Sequence, residues 1–112
     1  MRVISQDGTI DVPYDYFSLS VASGKCEDVE VAYIYCYNLS SPNGTKLAEY
    51  STKAKAIKAI EMLIEHNEGV IFLKTIINTE KCTPFIRSLS KTDFDKLTQN
   101  YFQFPQDDEI EV

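Results

Sequence analysis

Hydrophobic positions change period along this chain, and each change marks a structural element. Val3 and Ile4 precede Gln6-Asp7-Gly8, while Ile10 and Val12 follow it. Asp-Gly favours a tight turn because glycine tolerates positive φ, so residues 2–5 and 9–12 read as two paired strands. Pro13 ends that ladder, since it has no amide proton to donate. Phe17, Leu19 and Val21 then alternate with Ser18 and Ser20, the period of a half-buried strand closed by Gly24 and Lys25. Alternation is cleanest from Glu30 to Tyr37. There Val31, Tyr33, Tyr35 and Tyr37 face one way, and Ala32, Ile34 and Cys36 the other. Residues 39–45, with Pro42, Asn43 and Gly44, predict a loop, and residues 46–50 a returning strand.

After Tyr50 the period lengthens. Ala56, Ala59, Ile60, Leu63 and Ile64 recur at three- and four-residue intervals, which defines the buried stripe of a helix. Ser51 or Thr52 is placed to cap it, and Asn67 with Gly69 to end it. Val70 to Ile77 is rich in β-branched residues and predicts a central strand. Residues 79–89 around Pro84 predict a loop. Ser90 and Asp93 then have capping-box spacing ahead of Phe94, Leu97, Thr98 and Tyr101, a shorter helix, and Phe102 to Phe104 a last short strand. The expected class is α+β: an antiparallel sheet of about four to six strands, with one long and one shorter helix packed on one face. Residues 1–104 read as one domain and 105–112 as an acidic C-terminal tail.

Charge adds a polarity that the elements do not show. Residues 1–30 and 105–112 hold ten of the seventeen carboxylates but only two basic side chains, Arg2 and Lys25. The intervening segment is nearly balanced, so the net charge of -6 concentrates at the beginning and end of the chain. Such a field repels nucleic acid and attracts basic proteins, including those that bind nucleic acid themselves. No apolar run approaches the roughly 18–20 residues that cross a bilayer, and the opening residues turn polar too early for a signal peptide. A cytoplasmic protein with reduced cysteines is expected, because Cys26, Cys36 and Cys82 match no zinc or redox spacing.

Candidate chemistry is sparse. His66, the only histidine, reads as a solvated residue near a helix C-terminus. Asp7, Asp11 and Asp15 would share a face only on a helix, which Gly8 and Pro13 oppose, so no metal site is expected. Cys36, between tyrosines in a strand, reads as a small buried side chain. No nucleophile–base set is visible, so the chain is not expected to be an enzyme or to need a cofactor. Tyr33, Tyr35 and Tyr37 form a three-rung aromatic face that suits either a sheet's own core or a binding surface. Asp107, Asp108, Glu109 and Glu111 read as a solvated end, or as a negative segment that docks in a basic groove.

Three stretches carry a resemblance. They are MRVISQDGTIDVPY at the start, YSTKAKAIKAIEML leading into the long helix, and FQFPQDDEI near the end. Together they resemble a group of small, uncharacterised proteins carried by phages and other mobile elements of Gram-positive bacteria. The resemblance brings no catalytic or ligand-binding residues with it. It implies a bacterial cytoplasm as the setting, where small acidic proteins often inhibit host machinery, anti-CRISPR proteins among them. The expected function is therefore a non-enzymatic protein that binds and inhibits a basic, nucleic-acid-binding host protein such as a CRISPR effector nuclease, without itself touching nucleic acid. Its expected partner-binding residues are Glu27, Asp28 and Glu30, then Tyr33, Tyr35 and Tyr37, and finally Asp107, Asp108 and Glu109. The alternative is an accessory structural or assembly protein that self-associates, as a homodimer, through strand edges or the tyrosine face.

Overall fold

A computed structural model describes residues 1–38, 41–76, 84, 87, 90 and 100–111. The class is α+β, but the sheet is divided. β1 (Arg2–Ile4), β2 (Asp11–Pro13) and β6 (Tyr101–Gln103) form one three-stranded sheet in the order β2-β1-β6. β3 (Ser18–Cys26), β4 (Val29–Asn38) and β5 (Ser41–Tyr50) form the other, an antiparallel meander in chain order. Between β5 and β6 runs α1 (Lys53–Ile76). Two small sheets thus replace the single expected sheet of four to six strands.

The first hairpin forms around Asp7-Gly8 as expected, but its second strand is displaced from 9–12 to Asp11–Pro13, with Pro13 itself paired with Arg2 at the end of the ladder. Val3 pairs antiparallel with Val12, and Gly8 takes the positive φ of 79° that the turn requires. β6 pairs parallel with β1, setting Val3 opposite Phe102. No local pattern announces that pairing, because its two strands lie almost a whole chain apart. In the meander, Glu27 and Asp28 make a two-residue turn with φ of 52° and 65°, closing β3 on β4 from Cys26↔Val29 to Ser18↔Tyr37. β3 therefore continues through Gly24 and Lys25, which were expected to end it. β5 starts at Ser41, inside the expected loop. It is bulged opposite Ile34/Tyr35, so that Leu47 and Ala48 are both buried.

α1 crosses the meander over its central strand β4. Ala56, Ala59 and Leu63 pack against Ala32, Ile34 and Cys36, all within 1% of complete burial. The alanines keep the helix close to the sheet. Val3, Val12, Phe102, Phe104 and Ile110 join the same core from the other sheet. Two helical expectations need correction. Ile64, assigned to the buried stripe, is 42% exposed, because the stripe follows Ala56, Ala59, Leu63 and Val70. The helix also does not stop at Asn67 and Gly69. Val70 lies two turns beyond Leu63 and is buried on the same side, which offsets the roughly 1 kcal/mol that an interior glycine costs. Residues 70–76 are accordingly helix and not strand, and Ile77 lies outside the described residues. Most of the expected loop at 79–89 and of the shorter helix from Ser90 to Tyr101 also lies outside them. Within those spans, Pro84 and Arg87 have helical backbone, while Tyr101 begins β6.

Candidate functional site

The meander has two faces, and register assigns every residue to one of them. Cross-strand partners share a face, so Leu19↔Cys36 and Val21↔Ile34 look toward α1. Ser18↔Tyr37, Ser20↔Tyr35 and Ala22↔Tyr33 look away from it. The three tyrosines thus line the outer face, partly exposed, beside a parallel row of small side chains on β3. Adjacent rings lie 6.0 Å and 6.3 Å apart, centroid to centroid, in tilted pairs. Burial separates the two faces: Ala32, Ile34 and Cys36 belong to the core, and among the described residues the three tyrosines stand outside that core cluster.

Local structure fixes the row at both ends. Gly44 has φ of 82°, and a methyl group there would come within 2.5 Å of the Tyr37 ring. Only glycine lets β5 pass beneath that ring. At the other end the Lys46 ammonium stands 5.3 Å from the centre of the Tyr33 ring, a cation–π distance. Two shallow hollows extend the face. One, of about 520 Å3, lies between Asp15, Tyr16, Phe17, Ser18, Tyr37 and Asn38. The other, of about 390 Å3, is lined by Ala22 to Lys25 with Val31 and Tyr33. Tyr16 is 77% exposed beside the larger hollow. Sequence reasoning missed Tyr16, Gly44 and Lys46. A tyrosine in a turn, a glycine in an apparent loop and a single lysine carry no local signal of a shared surface.

The expected acidic residues divide. Glu27 and Asp28 form the exposed tip of the β3–β4 hairpin, and Asp108 is exposed in the closing turn. Glu30, Asp107 and Glu109 have structural work instead. Glu30 Oε1 accepts a hydrogen bond from the Lys53 amide at the start of α1, at 2.9 Å. Asp107 Oδ1 accepts from the Ser51 amide at 2.7 Å and also faces the Lys55 ammonium. These bonds hold the Asp107 carboxyl below the usual carboxylate range, with the Ser51 amide the largest cause. Thr52 is the helix cap, its Oγ1 accepting from the Lys55 amide. Glu109 reaches back to the Gln106 amide, closing the Asp107–Glu109 turn. Two acidic segments therefore converge on one place, the first turn of α1, where amide dipoles favour negative charge.

Residues 105–110 form a docked segment. Ile110 is buried, and the Pro105 carbonyl accepts from the Tyr50 hydroxyl at 2.8 Å. Gln6, unremarked in the sequence, ties three parts together: its side chain bonds Glu49 in both directions and also donates to Pro105.

The remaining candidates take structural places. Asp7 accepts from both the hydroxyl and the amide of Thr9 and from the Ser5 hydroxyl. These bonds, the Thr9 hydroxyl foremost, lower its pKa to about 2. Asp11 pairs with Arg2 at 2.7 Å. No three histidine, cysteine, aspartate or glutamate side chains gather into a metal-holding group among the described residues. His66 lies in the middle of α1, with its ring 5.9 Å from Phe102, and not near a helix end. Cys36 is buried and unpaired, and burial pushes its thiol pKa up. No helix among the described residues is long and apolar enough to cross a membrane. No family model, curated protein or solved structure matches this chain.

Proposed function

We propose that this chain is a non-enzymatic protein-binding module whose outer meander face docks on a basic protein. The observation that carries the reading is the placement of Tyr33, Tyr35 and Tyr37 side by side, opposite the face that α1 covers. Tyrosine offers large contact area with little rotamer freedom to lose, and neighbouring serine and glycine adapt to a partner's polar groups. Ser18, Ser20, Ala22 and Gly24 provide that second row. Glu27 and Asp28 project beyond one end and Asp15 borders the hollow at the other, so carboxylates flank the aromatic row. Charges so placed steer association more than they hold the complex.

The partner class follows from charge and from the resemblance to mobile-element proteins. A basic, nucleic-acid-binding host protein is the first to try, with a CRISPR effector nuclease as the specific case and inhibition by occlusion as the expected effect. Glu30, Asp107 and Glu109 now serve the helix start and the closing turn, leaving Glu27, Asp28 and Asp108 for the partner. The test measures binding of purified effector nucleases to the wild-type chain and to Tyr35→Ser and Glu27→Lys/Asp28→Lys variants, at low and high salt. Tyr35→Ser should weaken a complex at both salts, and the lysine variant chiefly at low salt. Equal binding by all three proteins, or none by any, would sink the proposal.

A further inference from the structure

We infer that two copies of this chain join edge to edge through β3, giving a continuous six-stranded sheet with one helix from each copy on the same face. Three observations converge on that strand. β3 is nine residues long, yet its outer edge pairs with no other described residue. Because Cys26 and Val29 close a two-residue turn, Leu19, Val21, Ser23 and Lys25 direct their backbone N–H and C=O groups outward. An unpaired row of that length is a template for another strand.

The surface beside it is unfinished as well. Phe17, Leu19 and Val21 on the inner face are only partly buried, and Ile57 and Ile64 on the near flank of α1 are 43% and 42% exposed. Tyr14, Asp15, Phe17, Leu19, Ile60, Leu63 and Ile64 line a largely apolar hollow of about 430 Å3 between helix and strand. A strand added to β3 would satisfy the edge and cover this hollow in one step.

Charge selects a second copy as the occupant. β3 holds one lysine and no carboxylate, in a chain of net charge -6. Self-pairing along β3 therefore sets no two of the strand's own side chains in carboxylate opposition. Antiparallel self-pairing centred on Ala22 sets Leu19 opposite the partner's Lys25 and Val21 opposite the partner's Ser23. All eight outward donors and acceptors of each copy are then used, and inner faces stay aligned. β4 and its counterpart would lie three strand spacings apart, about 14 Å, which places the two helices too far apart for bare backbone contact but within reach of Ile57, Ile60 and Ile64. The arrangement is isologous and closes as a twofold dimer.

Sedimentation equilibrium across the micromolar range, on the full chain, tests this. Wild type should show twice the monomer mass. Ser23→Pro removes an outward amide without touching the β4 ladder, and Ala22→Asp opposes two carboxylates across the axis; each should weaken the dimer about tenfold or more. Circular dichroism confirms that both variants fold. A wild-type chain that stays monomeric, or a dimer that both folded variants leave intact, would overturn the inference. Binding of an unrelated strand to β3 in a monomeric chain would overturn it too. Ser23→Pro leaves the tyrosine face in place, so dimer loss and partner loss can be read separately.

Discussion

The two sheets share one apolar core but differ in the balance of what else holds them. The smaller one is tied by polar bonds: Asp7 gathers its turn, Gln6 links it to β5 and Pro105, and Asp107 locks the closing segment to α1. Its strands are only three residues long. The meander has strands of nine and ten residues and rests chiefly on apolar contact with α1, on the face opposite the tyrosines. Where polar bonds are spent on holding the fold, little remains for a partner. Where packing on one face holds the fold, the other face is left for the proposed partner. The proposed site falls on the sheet that can spare a surface.

Removing the packing should therefore do the most harm. Leu63 is fully buried between α1 and β4, and Leu63→Ala should cost about 3 kcal/mol from lost transfer energy and an unfilled cavity. Chemical denaturation followed by circular dichroism measures it. A cost under about 1 kcal/mol would mean that the core relaxes freely, and that apolar contact does not hold the meander. Gly44→Ala comes next, at about 2 kcal/mol, because the new methyl meets Tyr37 at 2.5 Å and the backbone sits at φ of 82°. Its signature is specific. Near-ultraviolet circular dichroism should change as Tyr37 is displaced, while the helical signal is retained.

These expectations show which parts of the molecule the sequence discloses. The Asp7-Gly8 turn, the β4 alternation and the α1 start are local, so spacing alone reveals them. That alternation sorts Ala32, Ile34 and Cys36 onto one face and the tyrosines onto the other, but which face is core is decided only by the packing of α1. The stretch 70–76 misleads because β-branched residues favour strand locally, whereas it continues α1 and buries Val70 on the side of Leu63. Gly44 misleads in the other direction. It looks like loop punctuation and is the residue that lets a bulged strand pass under Tyr37. The pairing of β1 with β6, the bonds of Gln6 and the burden on Glu30 and Asp107 are long-range. No window of sequence holds both partners of any of these contacts.

The polar ties of the small sheet predict an acid sensitivity that the meander should lack. Asp7 has its pKa lowered from 3.8 to about 2, and Asp107 is lowered as well. Since folding favours their ionised forms, both add stability above the unfolded value that is lost on acidification, for Asp7 as pH falls from 3.8 toward 2. Amide exchange at Thr9 and Ile10 should rise across this window before exchange in β4 does. Asp7→Asn should destabilise the turn at neutral pH and flatten its response to acid. Simultaneous loss of protection in both sheets would show that they do not differ in this way.

The smallest effect is expected at the hairpin tip, and it separates stability from binding. Glu27 and Asp28 occupy left-handed backbone with φ of 52° and 65°, where a two-residue turn prefers Asn-Gly. Glutamate has no short side chain to satisfy that conformation locally, so these residues are not optimised for the fold. Glu27→Asn/Asp28→Gly should therefore stabilise the chain by about 1 kcal/mol, read as a higher denaturation midpoint with unchanged slope. The same pair of substitutions removes two carboxylates from the end of the tyrosine row. Association with a basic partner should slow at low salt while the fold becomes firmer. Opposite signs in the two measurements would mean that the tip sacrifices stability to keep its charge. A stability gain with unchanged association would assign the strain to no partner, and would move the electrostatic part of the site to Asp15 and Asp108.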